Sequence, residues 1–187
     1  MVQHARGHMK SALLIIDVQT ALCSGTWAAW DIDNVVRRIN ALSGQARAQH
    51  VPVVMVQHEE VNGPLQAGEP GWALWDQLST APRDIRIRKT GSDAFFKTPL
   101  QAMLQSQGID HLVVCGLQSE FCVDSTVRAA LAQGYAVTLV KDGHSTLANG
   151  VLSAAQISAH HNATLAHLGS YGPKMRVLPA AEVDLSS

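Results

Sequence analysis

Five consecutive apolar residues, Ala12 to Ile16, run without interruption into the carboxylate Asp17, and no other stretch restricts the fold as tightly. An unbroken apolar run of strand length belongs to a strand covered on both faces, the habit of parallel sheets flanked by helices. The pattern returns at Val51 to Val56, with Pro52 near the start where a missing N–H is tolerated, and at Leu112 to Cys115, before a break at Gly116. Tyr135 to Val140 and Met175 to Leu178 read as later strands. Ile85 to Lys89 alternates apolar with basic residues, as a strand nearer an edge does.

Helical spacing fills the intervals. Val35, Val36, Ile39, Leu42 and Ala46 follow an Asp33 cap, and Leu100, Met103 and Leu104 follow Thr98-Pro99 and stop at Gly108. A helix opens near Cys122 and stops at Gly134, and Ser153-x-x-Gln156 forms a capping box for one with Ile157, Leu165 and Leu168. Residues Ala21 to Ile32 read as a loop. A longer connection, Gln57 to Asp84, is broken by Gly and Pro, with a helical turn or two at most around Trp72 to Leu78; connections that long are usually binding loops or lids. Alternating strands and helices predict a three-layer α/β/α fold with a mostly parallel, about six-stranded, Rossmann-like open sheet.

The 187 residues fit a single domain spanning 1–187, long enough to bury about 70% of the unfolded surface. A net charge of -1 is too near neutral for an electrostatic nucleic-acid binder, and no apolar run approaches the roughly 20 residues that cross a bilayer. Nucleic acid and membrane are therefore not expected partners. Met1 to Lys10 reads as a polar lead-in, not a signal peptide. Three cysteines, with no CxxC or Cys/His pairing at zinc spacing, argue against a disulfide framework and a structural metal, and point to the cytoplasm.

In open parallel sheets, ligands bind outside the carboxyl ends of the strands where strand order reverses. Asp17, Lys89 and the Gly116 to Cys122 turn all fall at predicted strand ends. A cysteine at a helix start faces unpaired N–H groups and the positive end of the macrodipole, which favour the thiolate. Neither turn offers the Gly-rich phosphate loop of a dinucleotide or P-loop site.

Four segments together resemble the isochorismatase-like cysteine hydrolases, the superfamily that includes nicotinamidases and N-carbamoylsarcosine amidohydrolase. They are Leu-Leu-Ile-Ile-Asp17-Val-Gln19, Arg-Lys89 before Ser92-Asp-Ala-Phe95, Gly116-Leu-Gln-Ser-Glu-Phe-Cys122-Val-Asp, and Asp142-Gly-His144-Ser-Thr. The resemblance implies a catalytic triad of Asp17, Lys89 and Cys122, hydrolysing an amide-type carbon–nitrogen bond of a small molecule through a covalent acyl-enzyme. It further implies an oxyanion hole from the backbone N–H groups of Gln118 and Cys122, a cis peptide between Leu117 and Gln118, and assembly as a homo-oligomer, a dimer or larger. Gln57-His58-Glu59-Glu60 departs from the Asp-x-His metal pattern of nicotinamidases, so no metal and no cofactor are expected. Relatives that hydrolyse isochorismate, a vinyl ether, lack the nucleophilic cysteine. That chemistry remains an alternative, as does a non-catalytic or redox-sensing homologue using Cys122.

Gln19, Trp27, Phe95 and His144 are the further candidates for substrate binding, His144 more for support than chemistry. Cys115 is assigned to core packing and Cys23 to a loop. His160 and His161, adjacent on a helix, diverge by about 100° and cannot act as a ligand pair.

Overall fold

The computed structural model describes residues 9–185, so most of the polar lead-in expected over Met1 to Lys10 lies outside the described residues. Its strands are β1 (Ser11–Ile16), β2 (Val53–His58), β3 (Ile85–Lys89), β4 (His111–Leu117), β5 (Ala136–Ser145) and β6 (Met175–Leu178). They pair in parallel throughout, in the order β3-β2-β1-β4-β5-β6. The helices are α1 (Thr20–Cys23), α2 (Ile32–Ala48), α3 (Leu100–Ser106), α4 (Asp124–Ala132) and α5 (Ala154–Ala166). No helix among the described residues is long and apolar enough to cross a membrane.

The unbroken apolar runs are explained by burial on two sides. Ala12, Leu14 and Ile16 of β1 join Val54, Val56, Leu112 and Val114 in a core with Leu100, Leu104, Val127, Leu131 and Leu165 from α3, α4 and α5. The intervening Leu13 and Ile15 join Val53, Met55, Val113 and Cys115 in a second core beneath Val35, Val36, Ile39 and Leu42 of α2. Every second residue thus faces a different helical layer, and a polar residue in either register would need a buried partner. The outer strand β3 exposes Arg86 and Arg88, charges that discourage pairing with another chain.

Several boundaries depart from the sequence pattern for identifiable reasons. β2 begins after Pro52 and continues two residues past Val56, because Gln57 and His58 pair with Arg88 and Lys89. β4 does not break at Gly116, which pairs with both Ile16 and His144. β5 runs on through Lys141 and Asp142 to Ser145, with a bulge: Val114 pairs with Leu139 but Gly116 with His144. The 21–32 segment holds α1 and a 3-10 turn at Gly25–Trp27, and α2 starts from Asp31, not from an Asp33 cap. In the 57–84 connection Pro70–Trp72 forms a 3-10 turn and the Leu78 N–H closes a single turn onto Trp75, within the turn or two expected there. Between them Leu74 bridges Gln19 and the Trp75 N–H donates to Val18, which holds that backbone extended.

From β1 the chain builds outward through β2 and β3, then returns to place β4 on the other side of β1. The strand order therefore reverses between β1 and β4, and a crevice opens at their carboxyl ends.

Candidate active site

Asp17 follows β1 directly and adopts φ 51, a left-handed conformation that Asp tolerates better than most residues. Its N–H donates to Val56 and its carbonyl accepts from Gln19, so the backbone is held while the carboxylate turns across the sheet end. Opposite, Gly116 has φ +120 and its α-carbon lies against the Ile16 backbone; a Cβ there would run into the Ile16 carbonyl oxygen. Only glycine lets β1 and β4 close here.

Beyond Gly116 the Leu117–Gln118 peptide bond is cis. The Gln118 carbonyl accepts from the N–H of Phe121 (3.1 Å) and of Val123 (3.2 Å), winding Ser119–Val123 into a π-type turn that leads into α4. Such turns are rare and are frequent at functional sites. A buried network supports it: Ser119 Oγ meets His144 Nδ1 at 2.7 Å and Ser158 Oγ at 3.0 Å. Asn162 donates its amide N–H to Lys141, so its Oδ1 is left to accept from His144 Nε2, 3.0 Å away. That assigns His144 the tautomer whose Nδ1 accepts from Ser119. Burial lowers the pKa of His144, which keeps it neutral in this role. His144 is thus a prop for the turn.

Lys89 ends β3 and is 2% exposed. Its ammonium lies 2.8 Å from Asp17 Oδ2 and 3.2 Å from each of Cys122 Sγ, His58 Nδ1 and the Gly91 carbonyl. Burial alone would lower its pKa, but the Asp17 carboxylate and the Cys122 sulfur reverse that and hold it above the ordinary lysine value. The group is therefore a cation surrounded by four acceptors. Asp17, His58 and Cys122 present ligand atoms within 4.8 Å of one another, the spacing of a metal site, but the Lys89 ammonium bonds to all three. A metal ion would have to displace it.

Burial works against the thiolate expected for Cys122 at the helix start. Burial pushes the thiol up to about 12, the Asp17 carboxylate adds to the rise, and the Lys89 ammonium opposes it. Burial is the largest of these causes. Cys23, at the end of α1, is also pushed up to about 12 by burial, and Cys115 is raised in the same way inside β4.

The structure brings together Asp17, Lys89 and Cys122, and adds His58. Sequence reasoning missed His58 because β2 ended two residues early; its register opposite Lys89 was the available signal. Gln19 is not placed to bind substrate: it is fully buried, its amide N–H groups donate to the His58 and Trp72 carbonyls, and its Oε1 accepts from the His58 N–H. Phe95 likewise packs into the core, stacked on Tyr135 at 5.8 Å. Trp27 is 63% exposed and borders a cavity of about 360 Å³. Gln118, Glu120 and Phe121, from the turn that carries Cys122, line the same cavity. A larger groove of about 770 Å³ lies between α2 and α5 and touches His144; neither it nor the 360 Å³ cavity is lined by Asp17, Lys89 or Cys122, and only the smaller one is bordered by Gln118 and Phe121 of the Cys122 turn.

Fold and site together define a doubly wound α/β protein with a carboxylate, an ammonium and a thiol gathered at its topological switch point. The chain belongs to the isochorismatase family: the Isochorismatase domain matches residues 11–168. A streptothricin hydrolase of Streptomyces noursei is 42% identical over 136 residues, covering 72% of this chain and 54% of that protein, so the chain spans about half the length of this relative. A ureidoacrylate amidohydrolase of Caulobacter vibrioides is 28% identical over 169 residues, covering 71% of this chain and 75% of that protein. The crystal structure of an isochorismatase from Pseudomonas putida superposes with a TM-score of 0.85 at 32% identity, over 94% of this chain and 90% of that one.

Proposed function

We propose that the protein is a cysteine-dependent hydrolase that cleaves an amide-type carbon–nitrogen bond of a small molecule. The observation that carries this reading is the single Lys89 ammonium bridging the Asp17 carboxylate and the Cys122 thiol at the switch point. A half-buried thiol whose pKa is raised calls for a base, and Asp17 lies within 4.8 Å of it. As the Cys122 sulfur bonds to the substrate carbonyl carbon, its proton passes to Asp17. Asp17 then returns that proton to the leaving nitrogen as the carbon–nitrogen bond breaks, which leaves a thioester and a free amine or ammonia. Water, giving a proton to Asp17, attacks the thioester; the acid departs and the proton returns to sulfur. Lys89 stays charged throughout and offsets the negative charge that shifts between oxygen and sulfur. Backbone N–H groups at Gln118 and Cys122 are the proposed donors to the carbonyl oxygen.

The names of the Streptomyces and Caulobacter relatives, a hydrolase and an amidohydrolase, agree with this chemistry. A redox sensor would need an accessible low-pKa thiol, whereas burial raises this one. The test is release of ammonia or amine from a panel of small primary amides, ureido compounds and lactams. Cys122→Ala and Asp17→Asn should each lower turnover of any accepted compound by about 10³-fold or more. Turnover retained in Cys122→Ala would overturn the reading.

A further inference from the structure

The Lys89 ammonium has three N–H groups and four acceptors within 3.2 Å, so its position is a compromise among them. Asp17 is the strongest of the four, being a carboxylate and the nearest, at 2.8 Å through Oδ2. Left to that attraction, the ammonium would move onto the carboxylate and engage both of its oxygens. It does not: Asp17 Oδ1 is sealed from solvent and has no hydrogen-bond partner among the described residues. Two neutral acceptors, the Gly91 carbonyl and His58 Nδ1, compete for the ammonium at 3.2 Å each. Cys122 Sγ is the fourth, and the Asp93 carboxylate, in the segment after β3, also feels the Lys89 charge.

His58 is fixed at both its backbone and its ring. Its backbone stands in register with Lys89 across the β2–β3 pair. The fully buried Gln19 adds a two-point clamp: its Oε1 accepts from the His58 N–H and its Nε2 donates to the His58 carbonyl, both at 2.9 Å. A buried amide devoted to one residue's backbone sets where that residue's side chain begins. The Lys89 contact then sets the ring. Because an ammonium only donates, Nδ1 accepts, and the ring proton resides on Nε2. In that form the ring takes no proton from Lys89 and gives none.

We propose that Gln19 and His58 form a brace that positions the Lys89 ammonium on one oxygen of Asp17 and so leaves the other oxygen free to take the Cys122 proton. The proposal rests on the cysteine-hydrolase reading, in which Asp17 is the base. Both are positioning residues: His58 acts through Lys89, and Gln19 acts through His58. Without the Nδ1 acceptor the ammonium shifts onto the carboxylate and engages Oδ1, and the thiol then has no vacant oxygen to receive its proton.

Two measurements test the brace. The first is nitrogen NMR of the imidazole rings above neutral pH, with the His58 signals among the nine histidines assigned by their loss in His58→Asn. Nδ1 should be bare and Nε2 protonated. A proton on Nδ1 would overturn the proposal, since such a ring cannot accept from Lys89. The second is kinetics on any amide that the parent turns over. His58→Ala should lower kcat by about tenfold or more while KM stays within about twofold, because the ring acts on the base and not on substrate binding. His58→Asn, whose amide oxygen stands near the place of Nδ1, should recover most of that kcat. His58→Gln, whose amide oxygen reaches toward the place of Nε2, should not. Equal losses in the Asn and Gln variants, or a rise in KM in place of a fall in kcat, would overturn the positioning role while leaving the hydrolase reading intact. Failure of the parent to turn over any member of the amide panel would overturn the hydrolase reading and this role with it.

Discussion

Lys89 carries four acceptors on one ammonium, and each pulls it toward a different element: Asp17 after β1, His58 at the end of β2, Gly91 just beyond β3, and Cys122 in the π-type turn. The side chains of Lys89 and Asp17 are 0% and 1% exposed, so their ion pair is sealed from water. Removing one partner of such a pair strands the other charge. Lys89→Met should therefore destabilise the fold by about 3–5 kcal/mol, measured by urea unfolding, in addition to removing activity. A loss below about 1 kcal/mol would mean that Asp17 finds another partner. At this scale the sequence was legible where a reactive side chain stood at or just beyond a predicted strand end, as at Asp17, Lys89 and the turn to Cys122. It was silent on His58, which stands two residues beyond the apolar part of its strand. It misled on the state of Cys122, because burial depends on what packs around the turn and cannot be read from the turn's own residues.

The strand β4 and its continuation organise the site at the scale of elements. Gly116 lies against Ile16 of β1, and a Cβ would collide with the Ile16 carbonyl oxygen and crowd its backbone nitrogen in a conformation that non-glycine residues seldom adopt. Gly116→Ala should therefore cost about 3 kcal/mol or more, or prevent folding, in thermal or urea unfolding. A variant as stable as the parent would show that β1 and β4 need not approach so closely. The bulge in β5 matters for the same turn. It carries His144 to a place where it receives the Ser119 hydroxyl, and bulges often redirect a side chain in this way beside active sites. Neither feature was visible in the pattern of residues. Gly116 reads locally as a break, and Lys141-Asp142-Gly143 reads as the end of a strand, whereas Gly116 pairs with Ile16 and His144, and the β5 pairing resumes past the bulge at His144 and Ser145.

Across the whole molecule, buried ionisable groups set a pH window for stability. Burial raises Cys23 and Cys122 to about 12 from an ordinary 9.0, and raises Cys115 as well. Between those values the unfolded chain has lost thiol protons that the folded chain keeps, so stability falls as pH rises past 9.0 toward 12. His111 and His144 are shifted the other way, lowered by burial from 6.5. The unfolded state takes up their protons first, so stability also falls as pH drops below 6.5 through the lowered folded values. Urea midpoints should thus form a plateau between about 6.5 and 9, with losses on both sides; midpoints that climb from pH 9 to 11 would contradict the burial of the thiols. The layered fold was legible at this scale, because strands buried on both faces leave unbroken apolar runs. The cavity beside the turn was not, since it is assembled from α1, the 57–84 connection, the catalytic turn and the segment after β5, whose conformations no local pattern fixes.

The central claim is that Cys122 attacks a carbonyl carbon and holds the acyl group, and intact-protein mass spectrometry of an acid-quenched reaction tests it most directly. With an amide that the protein turns over, the account predicts a transient mass increase equal to the acyl portion, mapped by peptide digestion to Cys122 and lost in Cys122→Ala together with turnover. An acyl group found on another residue, or turnover that persists in Cys122→Ala, would contradict it.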